Sequence, residues 1–344
     1  MNSFPLINIV LLGGSSPIGR EFFKVVATHT QGNIRINALT DDPGELPEYP
    51  FITAVLGELP QVPEKLFPEK PFILINFGND SDKESKRRVK LENVSGTQAL
   101  MGALPEHVMG VLYGSSMSVY GSGALDDIHE SVPVNPQTPV AESLAKAEKI
   151  VLDKMKDMKK CAFILRPHLI LNADDESSSL RGVLKLAQRG LNLNQGKSQF
   201  SVISVGDYAQ IIFRLILQIF KRDAMDAPVQ RALNVGYREA LSLQRMLAVI
   251  CEIYELSLPE NNISLPAWSI ETLKMIPIPQ IGRLLSHVES LGFSKNGNIS
   301  TLEAEIGSDL LDQPAENILR QVIVEMKQTI LENEELPLED EDND

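Results

Sequence analysis

The feature of this chain that most constrains its fold is a glycine-rich turn in residues 9–23, between an apolar run and a helical pattern. The apolar run ends at Gly13, and residues with helical spacing continue from Gly19. Glycine permits a tight backbone turn and the close approach of a ligand. A helix N-terminus presents unpaired N–H groups and the positive end of a dipole to a phosphate. The segment therefore predicts a strand, a phosphate-sized turn and a helix, and points to a nucleotide ligand.

The first half of the chain alternates apolar, strand-like runs with helical patterns. Strands are predicted at 7–12, 34–39, 51–56, 72–77 and 108–113, and a further buried strand at 161–171. Helices are predicted from Gly19 onwards, at 86–104 and at 134–151. Alternation of this kind indicates an α/β fold with a doubly wound parallel sheet.

Charge and composition narrow the classes of partner. The 344 residues carry a formal net charge of −14, but residues 332–344 hold eight acids and no base, so the first 331 residues carry only −6. An acidic body without clusters of Lys and Arg predicts neither a nucleic acid nor an anionic membrane as partner. The charged tail is typical of a disordered, solubilising segment, and partner binding is the alternative for it.

Cysteine and histidine usage predicts a cytoplasmic protein without a metal site. Cys161 and Cys251 lie inside apolar patterns and are expected to be buried thiols in a reducing compartment. Five scattered histidines and no cysteine pair at ligand spacing give no candidate metal site. The N-terminal apolar run lacks the flanks of a signal peptide, and the run at 211–220 is too short to span a bilayer.

Motifs beyond the glycine turn make the chain resemble a known family. They lie, in order, at 92–100, 111–121, 164–170, 200–209 and 232–236. In this order and spacing the chain resembles the extended short-chain dehydrogenase/reductases, particularly their NAD-dependent epimerase/dehydratase branch, from residue 7 to about 310. The resemblance implies a Rossmann domain that binds NAD or NADP, a smaller C-terminal substrate lobe, and a homodimer formed through two helices per subunit.

Three regions are expected on this basis. Residues 1–171 form the Rossmann dinucleotide-binding core, and residues 332–344 form the acidic disordered tail. Between them, residues 172–331 form a mixed region that builds the substrate lobe and returns elements to the core. Helices at 180–189, 207–220 and 241–254 are predicted there, among short strands and proline-rich loops.

The resemblance assigns the cofactor residues by position. The family's three phosphate-binding glycines fall on Gly13, Ser16 and Gly19, with Pro17 and Ile18 between the last two. Ser16 keeps a backbone N–H but adds a Cβ and a hydroxyl, so we expect a displaced phosphate or a new hydrogen-bond donor, and weaker binding. Further positions that line the cofactor in relatives hold Glu58, Leu59, Phe77, Gly78, Asn93, Ser115 and Pro167.

The end of the second predicted strand bears on the choice between NAD and NADP. Thr40 takes the place of the family's ribose-binding acid, and Asp41 is next to it. A carboxylate near the adenosine 2′-hydroxyl favours NAD and repels a 2′-phosphate. The alternative is that Asp41, Asp42, Pro43 and Gly44 form only a turn, which their residue types also explain.

The expected catalytic residues are replaced. The family uses a Ser or Thr, a Tyr, and a Lys four residues after the Tyr; Ser116 fits the serine position, as a catalyst or merely as a hydrogen-bonding residue of a serine-rich turn. Counting back from Glu148, the Tyr and Lys positions hold Val140 and Leu144, neither of which can transfer a proton. Lys146 lies about 200° around the helix from Leu144 and is expected to point away.

Other candidates for the missing acid are Tyr113, Tyr120 and His168, each of which is also explained as a packed or hydrogen-bonded structural residue. The sequence thus predicts a protein that binds NAD or NADP, with weak, atypical or absent oxidoreductase activity on a small polar, carbonyl or sugar-like substrate. The alternative is a non-catalytic dinucleotide-binding sensor or scaffold. The glycine turn argues against a third hypothesis, an interaction protein that has lost the cofactor.

Overall fold

The chain forms an α/β fold around a parallel sheet. The computed structural model describes residues 6–29, 32–77, 92–121, 125–174, 179–264 and 291–335. Seven strands make the central sheet: β1 (Ile7–Leu12), β2 (Ile34–Thr40), β3 (Ile52–Leu56), β4 (Phe72–Asn76), β5 (Val108–Gly114), β7 (Cys161–Pro167) and β12 (Gln230–Val235). Their order across the sheet is β12-β7-β5-β4-β1-β2-β3, and every pairing is parallel. The predicted α/β class with a doubly wound parallel sheet is confirmed.

Helices cover both faces of the sheet because successive strand residues point to opposite sides. Ile9 and Leu11 of β1 pack in one core with α1 (Pro17–His29) and α5 (Val205–Ala224). Val10 and Leu12 pack in a second core with α2 (Thr97–Ala103) and α3 (Pro139–Asp157). All six residues of β1 are buried, as expected for the central strand of a doubly wound sheet.

The second half of the chain adds one strand to the central sheet and most of the strands of three smaller sheets. The strand β12 pairs with β7 along its whole length and so completes the central sheet. A smaller sheet has the order β13-β10-β15-β6, from β6 (Leu125–Ile128), β10 (Gln199–Phe200), β13 (Leu241–Ser242) and β15 (Lys295–Gly297). Two further pairs join β8 (Leu169–Leu171) to β11 (Val202–Ser204) and β9 (Leu191–Leu193) to β14 (Asn261–Ile263). The remaining described helices are α4 (Ser179–Gln188), α6 (Leu243–Tyr254), α7 (Ser300–Ile306) and α8 (Ala315–Glu335).

Two of the predicted elements differ from the structure, one because of strand pairing and one because of proline. The predicted strand at 161–171 is two strands, because β7 ends at Pro167 and β8 turns away to pair with β11. The predicted helix at 134–151 begins at Pro139, where the Thr138 hydroxyl accepts a hydrogen bond from the Ala141 N–H at 3.1 Å. Proline fixes φ and restricts the residue before it, so Pro136 and Pro139 keep residues 134–138 out of the helix.

The last described helix overlaps the segment predicted to be an acidic tail. The last helix, α8, continues to Glu335, so its final turn includes residues that we expected to be disordered. Residues 336–344, and residues 86–91 of the helix predicted at 86–104, lie outside the described part of the chain.

Within the described ranges, no helix is long and apolar enough to cross a membrane. Those ranges also hold no group of three or more His, Cys, Asp or Glu side chains arranged to bind a metal ion. Cys161 and Cys251 are buried free thiols, and burial raises the pKa of each. They therefore behave as small apolar residues of the core.

Candidate dinucleotide site

A groove lies at the carboxyl edge of the central sheet, beside the point where the strand order reverses. That point falls between β1 and β4, since β2 and β3 follow β1 on one side and β5 and β7 follow β4 on the other. Open α/β sheets bind ligands at such a position. The switch-point groove, as we call it, is lined by Leu12, Gly13, Ser15, Leu39, Thr40, Asp41, Gly57, Glu58, Leu59, Asn76, Asn93 and Thr97. Five of the predicted cofactor residues, Gly13, Asp41, Glu58, Leu59 and Asn93, are thereby brought together.

The glycine turn closes one side of this groove, with a backbone that only glycine fits at two positions. Gly13 has a φ of 81°, in the left-handed region that other residues rarely adopt. A Cβ on Gly19 would lie 2.3 Å from the Gly13 carbonyl oxygen and 2.6 Å from that of Gly14. The first turn of α1 therefore packs directly against the end of β1, which brings the helix N-terminus to the groove.

Ser16 folds its side chain back into the turn. Its hydroxyl donates to the Gly13 carbonyl oxygen at 2.7 Å and accepts from the Gly19 N–H at 3.1 Å. Its own N–H donates to the Gly13 carbonyl at 3.2 Å. Ser16 is 8 % exposed and acts as the N-cap of α1, with Pro17 at the first helical position.

Two acidic residues follow β2, Asp41 and Asp42, and their surroundings differ. Asp42 accepts a hydrogen bond from the Gly44 N–H at 2.8 Å and caps a short 3₁₀ turn, as the turn interpretation expects. The Thr40 hydroxyl donates to the Asp42 carbonyl at 2.8 Å and fixes the same turn. Asp41 is exposed and lines the groove.

The floor of the groove is connected to helix α3 through Asn93. Its Nδ2 donates to the Ser143 hydroxyl at 3.1 Å, and Ser143 in turn donates to the Val140 carbonyl at 2.7 Å. Leu59 packs over Gly96, where a Cβ would lie 3.1 Å from the Leu59 side chain. These contacts hold the turn after β3 and the start of α2 against each other.

The remaining predicted residues lie farther along the same edge. Phe77 follows β4 and donates its N–H to the Leu12 carbonyl at 3.2 Å, and Pro167 ends β7. Ser115 and Ser116 follow β5 directly. Gly78 lies outside the described residues.

The two serines after β5 make different contacts. Ser116 caps a 3₁₀ turn, and its hydroxyl accepts from the Ser118 N–H at 3.1 Å. A hydroxyl retains one O–H donor and a second lone pair after such a bond, so Ser116 can still donate to a ligand oxygen. Ser115 instead donates its hydroxyl to the Glu148 carboxylate at 2.5 Å.

The Glu148 carboxylate that Ser115 contacts belongs to a buried ionic network. Arg166 donates to both Glu148 oxygens, from Nε at 3.0 Å and from Nη2 at 2.5 Å. It also donates from Nη1 to the Tyr120 hydroxyl at 2.8 Å, and Tyr120 donates to Asn234 at the same distance. Burial alone lowers the pKa of Arg166, but the hydrogen bonds and charge of Glu148 outweigh it, so the pKa lies above its usual value.

The two residues predicted to replace the family's Tyr and Lys, Val140 and Leu144, are half-buried apolar residues of α3. Leu144 is half-buried and packs on a small cluster of Met117, Val119, Tyr120 and Ile128. Val140 is also half-buried, whereas Lys146 is exposed on the other side, in the direction that helical geometry predicts. Leu144 therefore serves as packing surface at this position.

The alternative proton donors have structural contacts as well. Tyr113 is 2 % exposed, and burial raises its pKa, which makes it a poor acid. Burial also raises the pKa of Tyr120, whose hydroxyl is fully engaged by Arg166 and Asn234. The His168 ring packs against Phe200, with ring centroids 5.4 Å apart.

Sequence reasoning missed several residues of this site. Leu12, Leu39 and Asn76 line the groove because they end, or nearly end, parallel strands, and the strand-end rule for open sheets was the available signal. Ser15, Gly57 and Thr97 line it from loops and a helix start. The Arg166 partner of Glu148 is 18 residues away in sequence, and no local pattern marks such a pair.

Sheet order, glycine turn and groove together define a Rossmann-type dinucleotide-binding fold. Residues 9–236 match the model of the NAD dependent epimerase/dehydratase family. The chain belongs to that family.

Among curated proteins, UDP-arabinose 4-epimerase 1 of Arabidopsis thaliana is 26 % identical over 189 residues, which is 49 % of this chain and 44 % of that protein. The match thus spans less than half the length of that relative. Among solved structures, UDP-glucuronic acid 4-epimerase from Bacillus cereus, in complex with NAD, has a TM-score of 0.70 at 13 % identity, over 94 % of this chain and 99 % of that one.

The dTDP-glucose 4,6-dehydratase of Bacillus anthracis, also in complex with NAD, has a TM-score of 0.69 at 15 % identity, over 94 % of this chain and 97 % of that one. These structural matches establish the fold.

Proposed function

We propose that this chain binds NAD in the switch-point groove and performs weak, atypical or no hydride transfer with it. The observation that carries the proposal is the turn at Gly13–Gly19, whose close backbone contact requires glycine and directs a helix N-terminus at the groove. The residues present fit an extended dinucleotide: a helix N-terminus for the diphosphate, an exposed carboxylate for a ribose, and a groove continuing along the strand ends toward Ser115 and Ser116.

Asp41 supports NAD over NADP. Its carboxylate lines the groove at the end of β2, and a 2′-phosphate there would meet a like charge. Thr40, which stands in place of the family's acid, has its hydroxyl engaged with the Asp42 backbone. Asp41 is thus the residue that we assign to the ribose 2′-hydroxyl.

The chemistry that NAD supplies when bound is the acceptance or donation of a hydride. The chain's contribution is binding and orientation, with Ser116 offering an O–H donor to a substrate oxygen. Val140 and Leu144 supply no proton at the family's Tyr and Lys positions, and the packed Leu144 leaves no cation to lower the pKa of a replacement acid. The solved relatives include complexes with NAD and with UDP-sugars, so a sugar-like carbonyl compound is the substrate class that we propose for any turnover.

A non-catalytic dinucleotide sensor or scaffold is the second candidate, and one observation favours it. Leu144 packs with Met117, Val119, Tyr120 and Ile128, so this face of α3 stabilises the fold and supplies no group for proton transfer. In that case the ligand would stabilise the folded chain by mass action without being consumed.

Titration of the purified chain with NADH and NADPH, followed by nicotinamide fluorescence and thermal shift, tests the proposal. We expect saturable NADH binding that is tighter than NADPH binding, and Asp41→Ala should reduce that preference. Exposed Lys149→Ala is the matched control and should leave both affinities unchanged. No saturable signal with either dinucleotide would refute the proposed function.

A turnover assay distinguishes an atypical enzyme from a non-catalytic sensor. A panel of carbonyl compounds and nucleotide sugars is incubated with the chain and NAD or NADH, and oxidation or reduction is followed by absorbance. Slow turnover that falls in Ser116→Ala supports an atypical enzyme. Binding without turnover, unaffected by Ser116→Ala, supports the sensor.

A further inference from the structure

The turn between β1 and α1 has internal partners for most of the donors that a helix N-terminus offers to a phosphate. The Ser16 N–H donates to the Gly13 carbonyl at 3.2 Å, and the Gly19 N–H donates to the Ser16 hydroxyl at 3.1 Å. Pro17 has no N–H to offer. Within this described stretch, Ile18 is the residue of the first turn whose N–H has no internal acceptor.

The Ser16 hydroxyl is held in this arrangement from both sides. It donates to the Gly13 carbonyl at 2.7 Å while it accepts from Gly19, and the side chain is 8 % exposed. Gly19 is buried and its N–H is covered by this hydroxyl, so a diphosphate reaches that N–H only if the hydroxyl rotates away and both bonds break. The ligand therefore competes with a side chain that already caps the helix.

We propose that Ser16 is an internal competitor for the diphosphate and sets a low affinity of the groove for its dinucleotide. This inference rests on the proposed function, since it concerns the same groove. Removal of the hydroxyl releases the Gly19 N–H to the ligand, and hydrogen bonds from N–H groups to charged oxygens are stronger than the neutral bond that is lost.

The test measures the affinities of NADH for the wild-type chain, Ser16→Ala and Ser16→Gly by fluorescence titration and calorimetry. We expect both variants to bind at least about ten-fold more tightly, as one gained hydrogen bond to a charged group predicts. Glycine is nearly as good an N-cap as serine, so Ser16→Gly keeps the helix start intact if Ser16→Ala proves unstable.

A matched control removes the same kind of cap elsewhere. Ser242 caps α6, and its hydroxyl accepts from the Arg245 N–H at 3.1 Å. Ser242→Gly should leave the NADH affinity unchanged. A matched pair of ligands tests whether the diphosphate is responsible. ADP-ribose, which has the diphosphate, should bind the Ser16 variants more tightly than the wild type, as NADH does. Adenosine, which lacks the diphosphate, should bind all of them equally.

The outcomes separate this inference from the proposed function. Saturable NADH binding by the wild type, with no gain in the two Ser16 variants, would overturn the inference and leave the proposed function standing. If only Ser16→Gly binds NADH more tightly, the effect belongs to the Cβ of Ser16. If adenosine gains as much affinity as NADH, the effect belongs to the helix as a whole. Either result refutes the role of the hydroxyl. No binding by any of the three proteins would refute both proposals.

Discussion

Leu144 is held in helix α3 by apolar contacts. Its side chain completes the apolar cluster with Met117, Val119, Tyr120 and Ile128, so a charged group at this position would have to enter apolar surroundings. Counting from Glu148 predicts that Leu144 occupies the position of the family's Lys. Its packing partners come from distant loops and strands, and only the folded chain reveals them.

A charged side chain at this position should therefore destabilise the fold. We expect Leu144→Lys, alone or with Val140→Tyr, to lower the free energy of unfolding by about 1–3 kcal/mol. Urea denaturation followed by circular dichroism measures the change. Lys146→Ala, on the exposed side of the same helix, is the control and should change the stability by less than about 0.5 kcal/mol. An unchanged midpoint for Leu144→Lys would show that this face borders an open cleft.

Substitution in the buried pair of Glu148 and Arg166 should destabilise the fold more than substitution of Leu144. Glu148→Gln leaves the Arg166 guanidinium uncompensated in the interior, which typically costs about 3–5 kcal/mol. The exposed Glu142→Gln on the same helix should cost no more than about 1 kcal/mol, through the loss of a favourable helix-dipole contact. Equal stabilities of the two variants, measured by urea denaturation, would contradict this assignment.

At the scale of elements, prediction succeeded where one local pattern decides the structure. The strand predicted at 7–12 is confirmed because its run, apolar except for Asn8, suits a strand buried on both faces. The boundary at Pro167 was missed because the direction of β8 depends on pairing with β11, more than 30 residues later in the chain. The turn at Ser16 was located correctly from sequence, whereas its hydrogen bonds were not foreseen.

The turn between β1 and α1 gives a sharp test at this scale. Gly19→Ala places a Cβ 2.3 Å from the Gly13 carbonyl oxygen. We therefore expect the free energy of unfolding to fall by about 1–3 kcal/mol and dinucleotide binding to be lost. Gly102→Ala in α2 is the matched control, since a Cβ there meets nothing within 4 Å. It should stabilise the chain by up to about 1 kcal/mol through helix propensity. Thermal unfolding with and without NADH measures both effects, and similar behaviour of the two variants would contradict the geometry of the turn.

At the scale of the whole molecule, ion pairs join the C-terminal helix to the body. Glu316 of α8 receives two hydrogen bonds from Arg245 of α6, at 2.5 and 2.7 Å. Arg320 of α8 pairs with Glu252 of α6 at 2.6 Å. Hydrogen bonds from these arginines lower the pKa of Glu316 and of Glu252.

These lowered pKa values predict a loss of stability in acid. A carboxylate whose pKa is lower when folded stabilises the native state above its unfolded pKa, near 4.3 for Glu, and this stabilisation disappears as the pH falls through the folded pKa. We expect the urea midpoint of the chain to fall between about pH 5 and pH 3. The urea midpoint of Glu316→Gln should fall less steeply with decreasing pH. Glu325→Gln changes an exposed residue of the same helix, and its midpoint should follow that of the wild type. Parallel curves for Glu316→Gln and the wild type would refute the contribution of this ion pair.

The position of β12 has a consequence for how the chain is made. The central sheet ends with a strand at Gln230–Val235, which covers the open edge of β7 after an excursion of some 60 residues through the C-terminal half. A nascent chain that has emerged only as far as β7 presents that strand's unpaired N–H and C=O groups, together with its buried apolar residues, to other chains. Completion of the central sheet therefore waits for synthesis to pass residue 235, and fragments that stop at residue 171 are expected to aggregate.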